Sequence, residues 1–542
     1  MFPIDFKQLA AFPAAMVLLL LAVAAADAST ADTAADIINA SGVQGGVVVH
    51  LGCGDGKLTA ALRVNGRYQV HGLTRDAAEI AAARANAAAN GVYGEVSIDR
   101  LSGNRLPYID NLVNLVVSED LGDVSLDEVM RVLTPNGVAY IKNGDTWQKT
   151  VKPWPQDIDE WTHYLHDAGG NAVAHDDIVG PPRHLQWLGS PRWSRHHDRM
   201  ASMSALVSAD GRLFYIMDEG SRISIQMPPK WTLVARDAFN GTVLWKQPIP
   251  TWQNHLWPLK SGPTQLARRL VAEGDRVYVT LGLQAPVTVI DAATGDIIRR
   301  VEGSDPTEEL IVSNGTLLAL VNKGSYEVKD FVPAFNTGDQ ARVRTDKQFH
   351  WNEQAREVVG IDGETGDVLW RRESVVGPLS LAADSDRVYF HNGQSVVCLD
   401  RESGKELWAS EPAGTAEAFT MNFGPKLVVH ENVVLFAGGD RKMVALEAAT
   451  GKPMWTAPHA RGGYQSPEDL LVASGLVWSA PTTSGRDSGI WTGRDLMTGE
   501  VKNEFPPNVD TYWFHHRCYI AKATDKYLMP SRTGIEFVDH AN

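Results

Sequence analysis

Cysteine is scarce in this chain, and its scarcity excludes one common kind of scaffold. Only Cys53, Cys398 and Cys518 occur among 542 residues, and no Cys-x-x-Cys or Cys-x-x-Cys-His motif is present. An odd, widely spaced set of three offers no disulfide framework, and the missing motifs leave no site for covalent haem attachment.

Positive charge and long apolar runs are also in short supply. The net charge is −15 without an extended basic block, so nucleic acid, which needs a cationic binding face, is not an expected partner.

The apolar run from Phe12 to Ala26 has 15 residues, which is short for a stable membrane span. It is followed by Ala26-Asp27-Ala28, a pattern typical of a cleaved secretory signal. We therefore predict that residues 1–28 are a signal peptide and that the protein is exported to the periplasm or the extracellular space.

The chain is rich in one repeated turn. Its clearest copy runs from Asp400 to Trp408, in the pattern Asp-x-x-Ser/Thr-Gly-x-x-Leu-Trp. Short runs of β-branched and aromatic residues precede it, as in Asp386–Phe390 and Ser395–Leu399, and these predict strands. The glycines of the copies stand at positions 241, 295, 366, 404, 451 and 499. A period of roughly 40–50 residues indicates the blades of a β-propeller.

Each residue of the repeated turn has an expected structural role. The Asp carboxylate accepts hydrogen bonds from turn N–H groups, and the Gly supplies the positive φ of a bulged turn. The Trp recurs at a fixed position, so we expect it to pack between neighbouring blades.

These units resemble the quinoprotein (PQQ-like) repeat over residues 183–542. That family includes PQQ-dependent alcohol dehydrogenases and a propeller lipoprotein of outer-membrane assembly, so the resemblance implies a propeller of seven or eight blades. PQQ dehydrogenases typically carry a vicinal Cys pair beside the cofactor, and its absence here argues against PQQ binding. The seventh unit ends one strand short, and two explanations stay open. Residues 184–188 supply the missing strand, or the chain is truncated.

An α/β domain precedes the propeller. The segment from Gly46 to Leu58 contains an apolar strand, then Gly52-x-Gly54-x-Gly56, then the start of a helix. Such glycines permit a tight turn and close approach of a ligand to the backbone. Further strands and an Ala-rich helix alternate along the segment up to Ile141, which predicts a doubly wound parallel sheet of Rossmann-like type.

Together these segments resemble a class I S-adenosylmethionine-dependent methyltransferase domain, which we place at residues 29–145. The resemblance implies that Gly52, Gly54, Gly56 and Thr74 bind the cofactor. Three positions depart from the family pattern, because His50, Thr74 and Asn114 stand where acidic residues are usual. A carboxylate accepts hydrogen bonds from both ribose hydroxyls in a way that a Thr hydroxyl cannot fully match. Asp76, two residues on, compensates only if the turn is shifted. We therefore expect a degenerate or repurposed cofactor site.

The junction at residues 146–182 is rich in His and Asp. If His163 and His166 lie on one face of a helix, they and Asp167 form a candidate site for a divalent metal. The alternative is a polar linker across the propeller rim.

Two further polar groups flank the propeller and are candidates for catalysis or ligand binding at its funnel. They are His196 and His197 at one end and His515, His516 and Arg517 at the other. The alternative is that they form hydrogen bonds between blades.

We expect an exported two-module protein in which a degenerate methyltransferase-like domain precedes a PQQ-like propeller. The propeller would bind a small molecule or a protein at its funnel or rim. Two alternatives stay open: a quinoprotein-type oxidoreductase, and an active S-adenosylmethionine-dependent methyltransferase that uses the propeller as a substrate platform.

Overall fold

The chain folds into two compact units. The computed structural model describes residues 29–191, 202–224, 227–253, 264–324, 351–414, 424–459, 469–480, 490–505, 520–529 and 537–540. The first unit extends to Pro155 and includes Arg236–Trp245, and the second contains the rest of the chain. No helix in the described ranges is both long and apolar enough to cross a membrane.

The first unit contains a six-stranded sheet in the order β3-β2-β1-β4-β5-β6. The strands are β1 (Gly46–Leu51), β2 (Tyr68–Thr74), β3 (Val96–Arg100), β4 (Val113–Ser118), β5 (Leu133–Asn143) and β6 (Thr146–Val151). The first five are parallel, and β6 pairs antiparallel with β5. The predicted doubly wound sheet is thus confirmed, although it continues through β6, beyond the predicted boundary at residue 145.

In the described part of this unit, four helices accompany the sheet: α1 (residues 29–41), α2 (Lys57–Ala61), α3 (Ala77–Ala89) and α4 (Leu126–Val132). Asp76 caps α3, since its side chain accepts a hydrogen bond from the N–H of Ala78. Ser125 caps α4 in the same way through Glu128. The chain leaves β1 toward β2 on one side and returns to β4 on the other, so the switch point lies at the carboxyl end of β1, where ligands of such sheets bind.

After the first sheet, the described residues form seven four-stranded sheets, and we call them blades 1 to 7 in chain order. They belong to the second unit, except that Arg236–Trp245 of blade 1 is grouped with the first unit. Blades 1 to 3 consist of β8 (Met203–Ala209), β9 (Arg212–Asp218), β10 (Trp231–Asp237) and β11 (Val243–Pro248); β12 (Leu270–Glu273), β13 (Arg276–Thr280), β14 (Val287–Asp291) and β15 (Ile297–Arg300); β16 (Thr307–Ser313), β17 (Thr316–Val321), β18 (Ala355–Asp362) and β19 (Val368–Val375). A short 3₁₀ helix, Thr264–Arg268, precedes blade 2.

Blades 4 to 6 repeat the same antiparallel pattern. They consist of β20 (Ala382–Ala383), β21 (Arg387–His391), β22 (Val396–Asp400) and β23 (Glu406–Ala409); β24 (Lys426–His430), β25 (Val433–Ala437), β26 (Lys442–Glu447) and β27 (Pro453–Pro458); β28 (Leu471–Ala473), β29 (Leu476–Ser479), β30 (Trp491–Asp495) and β31 (Val501–Phe505). Their buried side chains form clusters between neighbouring sheets. The predicted β-propeller is confirmed.

Blade 7 is assembled differently. It combines β32 (Lys522–Thr524), β33 (Tyr527–Met529) and β34 (Val538–Asp539) with β7 (Val173–Ala174), which comes from the junction. The β7 strand pairs parallel with β32, on the side that faces away from β33. The segment 184–188, predicted to supply the missing strand, has no strand structure.

The repeated turn has the expected geometry in every copy. In six copies the Gly N–H donates to the carbonyl of the acidic residue four positions earlier, as in Gly404 to Asp400 at 2.9 Å. All six glycines have φ between 67° and 81°. The Asp side chain accepts turn N–H groups, as in Ser403 to Asp400 at 2.8 Å.

The Trp of a blade packs on the turn of the next blade, as predicted. The indole N–H of Trp455 donates to the carbonyl of Leu496 at 2.9 Å, and a Cβ added at Gly499 would lie 2.7 Å from the same indole. Trp370 and Trp408 contact the next turns in the same way. In one of the two copies that lack Trp, the side chain of Arg299 lies against Gly366.

The C-terminal part of the junction binds to every blade. One residue in the first strand of every blade donates its backbone N–H to the segment 161–174, which we call the strap. The donors are Ser208, Ala272, Val312, Ala383, Val429, Val472 and Ala523, and the distances are 2.8 to 3.0 Å. Each donor stands four residues before the second strand of its blade. The strap therefore contacts the seven blades at equivalent positions.

Candidate functional site

The glycine-rich turn at the carboxyl end of β1 has the geometry of a ligand-binding turn. Gly52 and Gly54 have φ of 71° and 51°, and apart from the adjacent residues no described atom lies within 4 Å of a Cβ added at either position. Gly56 differs, because a Cβ there would lie 2.6 Å from Ala83 of α3. The first two glycines therefore leave open space beside the backbone, and the third lets α2 and α3 pack closely.

Thr74, at the end of β2, contacts an acidic residue that sequence reasoning missed. Its hydroxyl donates to Glu79 Oε2 at 2.5 Å and accepts a hydrogen bond from the N–H of Asp76 at 3.2 Å. Glu79 stands in the first turn of α3 and is half-buried. In the sequence, the one signal for this contact is that Glu79 stands in the first turn of a predicted helix, five residues after Thr74.

His50 and Cys53 both lie buried beside this turn. Burial lowers the pKa of His50 to about 4, so its ring is neutral and pairs with Thr59 through Nδ1 at 2.8 Å. Burial raises the pKa of Cys53 to about 11, and the nearby negative charge of Glu79 adds to this effect. A neutral imidazole and a protonated thiol therefore flank the turn.

The Asn114 side chain uses both its amide oxygen and its amide nitrogen in hydrogen bonds. Its Oδ1 accepts from the N–H of Val47 at 2.8 Å and from Asn240 at 2.7 Å. Its Nδ2 donates to Asp237 Oδ2 at 2.7 Å, within the same compact unit. An acidic residue at position 114 would place two carboxylates against each other, since Asp237 accepts the proton that the Asn114 amide donates. This repulsion explains why position 114 is not acidic.

His163 belongs to the strap and acts as a hydrogen-bond acceptor. Burial lowers its pKa to about 4, so the ring is neutral. Nε2 accepts the N–H of Val312 at 3.0 Å, and Nδ1 lies 2.7 Å from the hydroxyl of Thr162. The ring nitrogen thus replaces the oxygen that other strap residues offer to a blade.

His166 lies between two carboxylates. Its Nε2 is 2.7 Å from Asp159 Oδ2, and its Nδ1 is 3.3 Å from Asp167 Oδ2. Burial alone would lower its pKa, but these two carboxylates outweigh burial and raise the pKa to about 9. The imidazolium is therefore the stable form at neutral pH.

The predicted helix across His163 and His166 is wrong. The two residues face each other across a tight turn, in which His163 N–H donates to the carbonyl of His166 at 3.1 Å and His166 has φ of 66°. No group of three or more potential ligands suited to a metal occurs in the described part of the chain. The other polar candidates, His196, His197, His515, His516 and Arg517, lie outside the described residues.

Comparisons with known proteins agree with this two-part organisation. The family model for a methyltransferase domain matches residues 48–137. Similar solved structures include BamB from Moraxella catarrhalis (13% identity, 65% of this chain and 85% of that chain, TM-score 0.40) and quinohemoprotein alcohol dehydrogenase from Comamonas testosteroni (11%, 68% and 69%, TM-score 0.43). No curated protein is significantly similar to this chain.

The methyltransferase structures match over a smaller part of the chain. Geranyl diphosphate C-methyltransferase from Streptomyces coelicolor A3(2) is 20% identical over 20% of this chain, with a TM-score of 0.19. This chain spans about half or less of the length of such structures, 52% and 44% in two of them. The model of a second family, described as outer membrane protein assembly factor BamB, matches residues 229–504, just over half of the chain. The chain therefore belongs to this family of PQQ-like repeat propellers.

Proposed function

We propose that this protein is a two-module binding protein whose Rossmann-like unit holds an adenosyl ligand of the S-adenosylmethionine class. The observation that carries the proposal is the open space beside Gly52 and Gly54 at the switch point of the sheet. Ligands of open α/β sheets bind at this place, where glycines let a ligand approach the backbone. The Thr74–Glu79 pair borders the same end of the sheet.

Binding, and not catalysis, is the activity that we assign to this unit. His50, at the end of β1, is buried and hydrogen-bonded to Thr59, and its lowered pKa makes it a weak base. Cys53 is buried with a raised pKa, and a protonated thiol is a weak nucleophile.

Titration calorimetry of the full chain with S-adenosylhomocysteine tests the proposal. We expect saturable binding, and at least about tenfold weaker binding by Gly54→Ala, whose methyl group would enter the open space. The matched control is Gly91→Ala, because Gly91 also has positive φ (67°) and open surroundings but follows the far end of α3. Absence of binding by the wild type at millimolar ligand would refute the proposal.

We further propose that the propeller serves as the platform for a partner. The seven blades form a repeated scaffold, and the strap already occupies the equivalent positions of their first strands. A partner must therefore bind elsewhere on the blades.

Crosslinking of the full chain in its native cells, followed by mass spectrometry, tests whether the propeller is the platform for a partner. Partner crosslinks confined to the first unit would contradict it.

Export is a proposal that depends on the N-terminal sequence. The apolar run before Ala26-Asp27-Ala28 favours cleavage before Ser29. Mass spectrometry of the mature protein, with cell fractionation, is the measurement. An intact N-terminus in the cytoplasm would contradict export, and would place the adenosyl site in the compartment where S-adenosylmethionine is made.

A further inference from the structure

The end of β2 lacks the acidic residue that commonly binds a ribose in Rossmann-like sheets. In such sheets an acidic residue about 20 positions after the glycines accepts a hydrogen bond from the ribose. In this chain that position is Thr74. A ribose presents two neighbouring hydroxyl groups, and the two oxygens of one carboxylate can accept a hydrogen bond from each. A single hydroxyl oxygen would have to accept both hydrogen bonds on one atom, which matches the spacing of the two ribose hydroxyls less well.

Thr74 is also occupied by neighbouring groups. Its proton is donated to Glu79 Oε2 at 2.5 Å, and its oxygen accepts the N–H of Asp76 at 3.2 Å. At most one lone pair then remains for a ligand. Thr74 is therefore poorly suited to bind a diol by itself, but it holds the Glu79 carboxylate in place.

Asp76, the nearest acidic residue in sequence, has another role. Its carboxylate accepts the N–H of Ala78 at 2.8 Å and caps α3. The Asp76 side chain is exposed. It is therefore committed to the helix terminus.

Glu79 has the position and the free oxygen that the role requires. Within the described residues, its Oε1 accepts no hydrogen bond, whereas Oε2 is held by Thr74. The carboxylate also lies close enough to Cys53, in the glycine-rich turn, to contribute to the raised pKa of that thiol. Glu79 is thus anchored at the end of β2 through Thr74 and lies near the glycine-rich turn through Cys53.

We propose that Glu79, held by Thr74, is the residue that accepts hydrogen bonds from the ribose hydroxyls of the adenosyl ligand. Thr74 is then a positioning residue and not the ribose acceptor itself. This assignment rests on the proposed binding function. It moves the acceptor from the end of the strand to the first turn of the following helix.

The test compares two probes, adenosine and 2′,3′-dideoxyadenosine, by titration calorimetry of the full chain. The wild type is expected to bind adenosine at least about tenfold more tightly than 2′,3′-dideoxyadenosine. One hydrogen bond to a charged group changes the dissociation constant by at least this factor. Glu79→Gln is expected to lose most of this preference, and the control Asp76→Asn to keep it. If Glu79→Gln keeps the full preference, the assignment of Glu79 is overturned while the binding function stands. If the wild type binds neither adenosine nor S-adenosylhomocysteine, the binding function itself fails.

A second pair of variants guards against loss of folding in Glu79→Gln. Thr74→Val removes the hydroxyl that holds the carboxylate and is expected to reduce the preference for adenosine, whereas Thr74→Ser restores it. A preference that is unchanged in Thr74→Val would overturn the positioning role. Thermal unfolding of each variant shows whether its fold is intact.

Discussion

Asn171 should be one of the most sensitive residues of the strap. Its Nδ2 donates to the carbonyl of Val472 at 2.9 Å, and its Oδ1 accepts the N–H of Val472 at 2.8 Å. Asn171 is only 4% exposed, so Asn171→Ala leaves both backbone groups of Val472 buried without these partners. Each lost partner costs about 1–3 kcal/mol. We expect the free energy of unfolding to fall by about 2–4 kcal/mol, since partial relaxation offsets part of the cost.

Urea denaturation followed by tryptophan fluorescence measures this loss. Asn90→Ala is the control, because Asn90 donates one exposed hydrogen bond, to the carbonyl of Asn86 at 2.9 Å. It should cost less than about 1 kcal/mol. Asn171→Asp keeps the acceptor but loses the donor, so its stability should lie between those of wild type and Asn171→Ala. Equal stability of Asn171→Ala and the control would refute the view that the strap holds the blades together.

Two further predictions concern the turn between blades and the charge on the strap. Gly499→Ala should cost about 1–3 kcal/mol more than Gly475→Ala in the same denaturation assay. Both glycines have φ near 72°, but only the methyl group at 499 would meet Trp455, and equal losses would contradict a tight interblade contact. The folded-state pKa of His166, about 9, lies above its ordinary value of 6.5, so its contribution to stability is complete below about pH 6.5 and lost as the pH rises through 9. The stability advantage of wild type over His166→Gln should therefore shrink between about pH 6 and about pH 10, and an advantage that does not change with pH would contradict the ion pairs.

Local patterns made much of the fold predictable. The turn from Asp400 to Gly404 is specified by residues within five positions, because the Asp side chain and the Gly φ act on the turn itself. The glycine-rich turn at Gly52 and the strands around it were predictable for the same reason. These features follow from hydrogen bonding and backbone conformation over short distances along the chain.

The missed features join residues that are distant in sequence or that match no motif. The spacing of His163 and His166 favours a helix, whereas the ring of His163 accepts a hydrogen bond from Val312, 149 positions away. Glu79 matches no spacing rule, because its role depends on how α3 begins beside Thr74. Sequence periodicity cannot predict either contact, because each depends on where the tertiary fold places a single side chain.

The sequence by itself determined the two modules, the blade repeat and the glycine-rich turn, because each depends on short-range backbone geometry and on hydrophobic periodicity. Only the tertiary structure decided that residues 161–174 form a strap bonded to all seven blades, and that β7 joins blade 7. The physical reason is the unpaired backbone N–H in the first strand of each blade. Seven such donors become equivalent only after the blades have assembled, and one short segment can then satisfy all of them.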